Sequence, residues 1–154
     1  MKRLIASTAA GLLALSLASV VLAASLSPEE QIKTRQAGYA FMGWNMKKIK
    51  ANLEGDYNPE QVKAAANAIA AIANSGMGAL YGPGTDKDIG SVKTRVKPEF
   101  FQNMGEVGQI ARNFIAKADA LAAAAATGDE QGVAGAFAEL GEACKACHTK
   151  YRAD

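Results

Sequence analysis

Apolar residues recur in steps of three and four along most of this 154-residue chain. Such steps align them on one stripe of an α-helix, as in helices that pack side by side in a bundle. Alanine is abundant and runs of β-branched residues are absent, which also favours helices. The stripes comprise Ile32, Tyr39, Met42, Met46, Ile49 and Leu53 in a first segment; Val62, Ala65, Ile69 and Ile72 in a second; Phe101, Met104, Val107, Ala111, Phe114, Ala118 and Leu121 in a third; and Val133, Phe137, Leu140, Cys144, Cys147 and Tyr151 in a fourth.

Capping residues mark where the first two segments begin. Ser27 and Glu30 form a capping box, and Pro28 suits the first helical position between them. We predict that this helix ends near Gly55 and that residues 58–60, Asn-Pro-Glu, begin the second helix in the same way.

Helix-breaking residues separate the remaining segments. Residues 82–84, Gly-Pro-Gly, end the second segment, and residues 82–97 form a long irregular connection. The third helix is predicted to begin at Pro98 and to close at Gly128, where Asp129 caps the fourth. We therefore predict an all-α fold, a four-helix up-down-up-down bundle.

The first 23 residues have the pattern of a secretory signal peptide. Two positive residues precede an apolar run from Leu4 to Leu22, and we place the cleavage site between Ala23 and Ala24. A transmembrane anchor is the alternative, but the run is rich in Ala and Ser and only marginally long enough to span a bilayer. We predict that residues 1–23 are removed, that residues 24–154 form one domain, and that the protein is periplasmic.

Charge gives no sign of a polyanionic partner. Removing Lys2 and Arg3 with the signal peptide changes the formal net charge from +2 to 0. A neutral chain gives no argument for binding nucleic acid or an acidic membrane surface, and no later segment is apolar enough to cross a membrane. We expect neither partner.

Residues 144–148 read C-x-x-C-H, the pattern of covalent c-type haem attachment. Residues three and four apart lie on one face of a helix. Cys144 and Cys147 can therefore both reach the edge of one porphyrin, and His148 can reach its iron. A redox dithiol normally accompanies a βαβ pattern, a zinc site needs four ligands, and a structural disulfide leaves His148 unexplained. We predict one haem c, bound through the two cysteines and enclosed by the bundle.

One position in the first apolar stripe is occupied by a charge. Arg35 lies between Ile32 and Tyr39, with Gln36 beside it. A charge in a core stripe is costly unless it is paired. Arg35 either extends to solvent near the helix end or meets an anion, and a haem carries two propionates. We favour the propionate.

Three motifs carry a resemblance to a known family. They are T-R-Q-A-G-Y at residues 34–39, L-Y-G-P-G-T at residues 80–85, and C-K-A-C-H-x-K-Y-R at residues 144–152. In this order, with the haem motif in the last helix, the whole mature chain resembles cytochrome c′, the four-helix haem proteins of the bacterial periplasm. The branch from purple bacteria, which has Tyr at the distal position, is the most similar.

The resemblance implies a role for each matching residue. Cys144 and Cys147 would form the thioethers, and His148 would be the only protein ligand of iron. The other implied haem contacts are a propionate-side pair at Arg35 and Gln36, a tyrosine closing the sixth coordination position at Tyr39, a proximal-side arginine at Arg152, and an acidic residue of the long loop, for which Asp88 is the candidate. The family also implies a homodimer built from the first two helices.

Two functions remain open for such a chain. The first is a five-coordinate, high-spin haem protein that binds NO and CO, transfers electrons, or does both, as is proposed for the family. The alternative is a conventional low-spin His–Met electron carrier. Its candidate ligands are Met42, Met46, Met77 and Met104, which we interpret as core-filling residues. Peroxidase-type catalysis needs a distal base such as His, and the single histidine is already used, so we predict no enzyme.

The first helix also predicts a link between ligand binding and assembly. Tyr39 lies four residues after Arg35 and so shares its face, whereas Phe41, Trp44 and Lys48 lie on another face, where a partner subunit could dock. A ligand that pushes Tyr39 aside should disturb this helix, because packed helices tend to hold discrete arrangements. CO is therefore expected to weaken the dimer.

Overall fold

The structure, a computed structural model, describes residues 26–153. Its longer helices are α1 (Pro28–Leu53), α2 (Pro59–Ala73), α4 (Met104–Thr127) and α5 (Glu130–Tyr151); a 3₁₀ turn (Met77–Leu80) and the short α3 (Glu99–Gln102) lie between α2 and α4. The chain packs α1 on α2, α2 on α4, and α4 on α5, whereas α1 and α5 touch at few positions. The predicted four-helix bundle is confirmed, with one open side between its first and last helices. The predicted signal peptide lies outside the described residues.

The predicted caps are present. Ser27 and Glu30 form both bonds of the capping box, and the Asn58 side chain accepts a hydrogen bond from the backbone N–H of Gln61 at 3.0 Å. Asp129 caps α5 by accepting from two backbone N–H groups of its first turn. Gly128 ends α4 in the left-handed region at φ 76°, which glycine adopts without strain.

The third helix differs from its prediction. Asn103 has non-helical angles (φ −120°, ψ 38°) and separates α3 from α4. Its side-chain amide donates to the Glu99 carbonyl at 2.8 Å, a local bond of the kind that competes with helix continuation. Met104 and Ala111, both within α4, are exposed and so do not belong to the buried stripe; Met104 is 52% exposed. The prediction that Pro98 begins one continuous helix is therefore wrong.

Two hydrophobic clusters fill the bundle. The larger lies among α1, α2, α4 and α5 and includes Met42, Ile49, Ile69, Leu121 and Leu140. The smaller consists of Phe100, Val107 and Tyr151, with Tyr81, Val96, Phe101, Ile110 and Cys147 packed against it. Cys144 packs against the larger cluster and Cys147 against the smaller. The C-x-x-C-H motif thus lies where the two clusters meet.

Two buried asparagines of α1 were not predicted. Asn45 donates to the Phe41 carbonyl at 3.0 Å. Asn52 donates to the Lys48 carbonyl at 2.9 Å and accepts from the Asn58 backbone N–H at 2.9 Å. Because these amides find partners, they are tolerated inside the bundle, and Asn52 ties the end of α1 to the start of α2.

Among the helices within residues 26–153, none combines the length and apolar character that a membrane-spanning helix needs.

Candidate haem site

The two cysteines lie on successive turns of α5 as free, partly buried thiols. Burial raises the pKa of both, although the nearby charge of Arg152 opposes the rise at Cys147. These groups are therefore thiols at neutral pH, whereas a reactive redox dithiol depends on a lowered pKa. Within the described part of the chain, no cluster of three or more His, Cys, Asp and Glu side chains is arranged to hold a metal ion.

His148 follows Cys147 directly, and much of the residue is exposed to solvent. Partial burial lowers its pKa, and the charges of Arg152 and Arg95 lower that pKa further. The imidazole is therefore neutral near pH 7, the form in which histidine ligates a metal. Arg95 was not predicted, because it belongs to a loop whose position depends on tertiary contacts.

Arg35 is buried in α1, with only 2% of its surface exposed. Its Nη1 donates to the Leu80 carbonyl at 3.0 Å, and its Nη2 donates to the Thr85 carbonyl at 2.7 Å and to Thr94 Oγ1 at 2.8 Å. All three acceptors are neutral, and no carboxylate in residues 26–153 forms an ion pair with it. Burial lowers the pKa of the guanidinium. The alternative that Arg35 extends to solvent is wrong.

Other polar side chains of α1 hold the same loop. Gln36, which is exposed, donates through Nε2 to the Lys93 carbonyl at 2.6 Å. Gln31 Oε1 accepts from the Gly82 backbone N–H at 2.9 Å. Together with Arg35, these side chains fasten residues 80–94, which we call the loop 80–94, against α1.

Tyr39 lies on α1 and is 42% exposed. Its hydroxyl accepts a hydrogen bond from the Tyr81 hydroxyl at 3.3 Å. Burial raises its pKa, while the hydrogen bond from Tyr81 lowers it. Cys147 and Cys144 of α5 raise the same pKa electrostatically, and Arg35 lowers it.

Tyr81 is a site residue that our sequence reasoning missed. Its ring stacks on Phe100 with centroids 4.5 Å apart and planes at 22°, and Arg35 Cζ lies 4.5 Å from the ring centroid. The available signal was its place in the L-Y-G-P-G-T motif, but no local pattern distinguishes it from a core tyrosine.

Asp88 folds onto its own loop. Its Oδ1 accepts from the Thr94 backbone N–H at 2.9 Å, and its Oδ2 pairs with Lys93 Nζ at 2.9 Å. The hydrogen bond from Thr94 and the pairing with Lys93 lower the pKa of this exposed carboxyl. Its contact with the haem region stays a prediction.

Arg152 is the C-cap residue of α5 and lies beside the end of the long connection that spans residues 82–97. Tyr151 accepts through its carbonyl from the Lys97 N–H at 2.9 Å, and the Ala153 N–H donates to the Arg95 carbonyl at 2.8 Å. Val96 and Arg152 form an isolated antiparallel bridge between these bonds. This pairing brings Arg95 beside the end of α5, where its charge and that of Arg152 lower the pKa of His148.

The methionines were predicted to fill the core, and Met42, which is buried, does so. Met77 packs against Gly38 so closely that a Cβ there would lie 3.0 Å from Met77 Cε. Met104 is exposed, so for this residue the core-filling interpretation is wrong.

These groups fit a haem. Two free thiols and a neutral imidazole lie near the C-terminal end of α5, and α1 carries a buried guanidinium whose three hydrogen-bond acceptors are all neutral. A buried cation of this kind favours an anion such as a propionate.

Comparisons with known proteins agree with this fit. The sequence profile of the cytochrome c′ family matches residues 30–152. Cytochrome c′ of Allochromatium vinosum is 72% identical over 153 residues, which cover 99% of this chain and 99% of that protein.

Solved structures agree as well. The cytochrome c′ from Thermochromatium tepidum, and another described for an unusual ligand-controlled dimer dissociation, each match at 72% identity and a TM-score of 0.84; the match covers 85% of this chain and 100% of theirs. Variants of cytochrome c′ from Alcaligenes xylosoxidans, one with bound carbon monoxide and one with bound nitric oxide, match at 28% identity and a TM-score of 0.73, over 83% of this chain and 98% of theirs. With its family profile, its relatives and its bundle in agreement, this chain belongs to the cytochrome c′ family.

Proposed function

We propose that this protein is a periplasmic haem protein, and not an enzyme, that binds NO and CO, transfers electrons, or does both. Haem c would be attached through Cys144 and Cys147, with His148 as the only protein ligand of a five-coordinate, high-spin iron. The observation that carries the proposal is the C-x-x-C-H motif of α5, whose two cysteines are free, partly buried thiols at the place where the two hydrophobic clusters meet. The CO- and NO-bound structures of the related Alcaligenes protein support gas binding.

The chain's own residues supply the conditions for this function. When bound, the haem iron supplies one position for a diatomic gas and one exchangeable electron. His148 offers a neutral nitrogen to the iron. Arg35 and Gln36 hold the loop 80–94 against α1, and a propionate would neutralise the Arg35 guanidinium. Tyr39 would cover the face opposite His148, so that a ligand has to displace its ring.

The positions of the methionines support five-coordination. Met104 is exposed near the interruption at Asn103, and Met77 packs against Gly38. Met42 belongs to the larger hydrophobic cluster, where its thioether has a packing role.

The proposed assembly is a homodimer through α1 and α2. Phe41 and Trp44 are 50% and 53% exposed on α1, with their ring centroids 5.3 Å apart, and Lys48 Nζ lies 3.7 Å from the Trp44 ring centroid. Exposed aromatic rings of this kind are typical anchors of protein interfaces. The related protein with ligand-controlled dimer dissociation supports a coupling between gas and assembly.

The visible spectrum of the reduced protein, with and without CO, tests the proposal. A broad high-spin spectrum that changes strongly on CO addition is expected. A sharp low-spin α-band that does not change on CO addition would instead establish His–Met ligation. The spectrum of Met42→Leu would then show whether Met42, the most buried candidate, is the ligand.

A further inference from the structure

Tyr81 is one of the most firmly held side chains beside the site. Its ring lies between the Phe100 ring and the Arg35 guanidinium, each 4.5 Å away. The backbone is tied on both sides, because the Leu80 carbonyl accepts from Arg35 and the Gly82 N–H donates to Gln31. The position of its hydroxyl is therefore fixed by contacts that do not involve Tyr39.

Tyr39 is held far more loosely. Its ring is 42% exposed, and within residues 26–153 its hydroxyl has one hydrogen-bond partner, the Tyr81 hydroxyl at 3.3 Å. A partly exposed ring with a single polar tether can rotate when that tether breaks. The two tyrosines thus form an unequal pair, in which Tyr81 is held by several contacts and the Tyr39 hydroxyl by a single hydrogen bond.

We propose that Tyr81 is a positioning residue that holds Tyr39 in the place where it covers the ligand face and thereby sets the affinity for gas. This inference rests on the proposed function. The hydrogen bond stabilises only the covering arrangement, so breaking it enlarges the fraction of molecules open to a ligand. The apparent dissociation constant equals the intrinsic constant divided by that fraction, so it falls as the fraction grows.

The opposing view is that the bond has no effect. At 3.3 Å it is long for two hydroxyl groups, and water can replace it at an exposed ring. A neutral hydrogen bond with a net contribution of ordinary size shifts an equilibrium roughly two- to tenfold, which CO titration resolves.

Removal of one hydroxyl group tests the proposal. Tyr81→Phe keeps the ring that stacks on Phe100 and lies under Arg35. We expect the CO affinity of the reduced protein to rise roughly two- to tenfold. Tyr39→Phe should give a similar rise, and the double variant no more than either one. Tyr57→Phe is the matched control, since the Tyr57 hydroxyl is buried without a hydrogen-bond partner among the described residues, and its CO affinity should equal that of the native protein.

A second measurement does not depend on gas. Urea unfolding of the CO-free haem protein, for the same two single variants and the double, should show that the two hydroxyls are coupled. Native CO affinity in Tyr81→Phe, additive effects in the double variant, or zero coupling in unfolding would each overturn the proposal. A native protein that takes up no CO at all would instead contradict the gas-binding part of the proposed function.

Discussion

Replacing Arg35 by leucine should destabilise the protein through one identifiable acceptor. The Thr94 hydroxyl keeps a second partner, because it accepts from the Val96 N–H at 3.3 Å, and the Leu80 carbonyl is only partly buried. The Thr85 carbonyl is different, since its bond to Arg35 is buried and Thr85 has no exposed surface. Leaving such a group without a partner costs about 1–3 kcal/mol.

The loss of the guanidinium over the Tyr81 ring adds about 0.5–2 kcal/mol. Relief from holding a charge in the interior offsets part of both costs. We therefore expect Arg35→Leu to lower the free energy of unfolding by about 3 kcal/mol, and the melting temperature by roughly 10 °C for a domain of this size.

Urea unfolding of the haem protein, monitored by far-ultraviolet circular dichroism, measures this change. In Arg35→Leu, limited proteolysis should cleave the loop 80–94 before the rest of the bundle opens, because the variant lacks the bonds from Arg35 to two carbonyl groups of this loop. Arg112→Leu is the matched control, since Arg112 is exposed on α4 and its replacement should alter the free energy of unfolding by less than about 0.5 kcal/mol. Equal stabilities of the two variants would refute the reasoning.

Three further predictions follow from the site and its surroundings. Mass spectrometry of the protein recovered from a periplasmic extract should show the chain from Ala24 plus one haem that resists acid–acetone extraction, and Cys144→Ala should weaken that attachment; extractable haem would contradict it. Sedimentation at several concentrations should show that CO weakens the dimer and that Trp44→Ala does so without CO; a dimerisation constant unchanged by CO would exclude the coupling. Hydrogen bonds from Lys150, which has the larger effect, and from Tyr151 lower the pKa of Glu106. Its stabilisation is therefore complete above the unfolded-state pKa and is lost as the pH falls through the folded one, so Glu106→Gln should flatten the acid side of the stability profile measured by thermal melting.

The order of the helices could be predicted because local signals determine it. The capping box at Ser27, the cap at Asn58 and the glycine at position 128 each act within one helical turn, and each is present. The haem motif at the end of α5 likewise depends on spacing alone. The helix break at Asn103 was not predicted, because an asparagine between apolar residues does not by itself indicate a break. The break depends on the hydrogen bond that its side chain donates to the Glu99 carbonyl.

The parts of the site that depend on the long connection were not predictable. Tyr81 and Arg95 gain their roles only when this segment packs against α1 and pairs with the residues after α5. Arg35 was recognised as an anomaly in an apolar stripe, but its partners are carbonyl and hydroxyl groups far away in sequence. A charge in an apolar stripe shows that the side chain needs a partner, but it does not show which neutral groups will accept its hydrogen bonds.

The attachment of the loop 80–94 to α1 has a consequence for how the protein matures. Arg35 bonds with residues 45, 50 and 59 positions away along the chain, and contacts of such long range form late because closing the intervening chain costs entropy. The helices can therefore assemble while the side between α1 and α5 still stands open. Under the proposed function, haem would be attached to Cys144 and Cys147 during that interval, before the loop 80–94 docks against α1. Variants that fasten the loop 80–94 too early should therefore accumulate as haem-free chain.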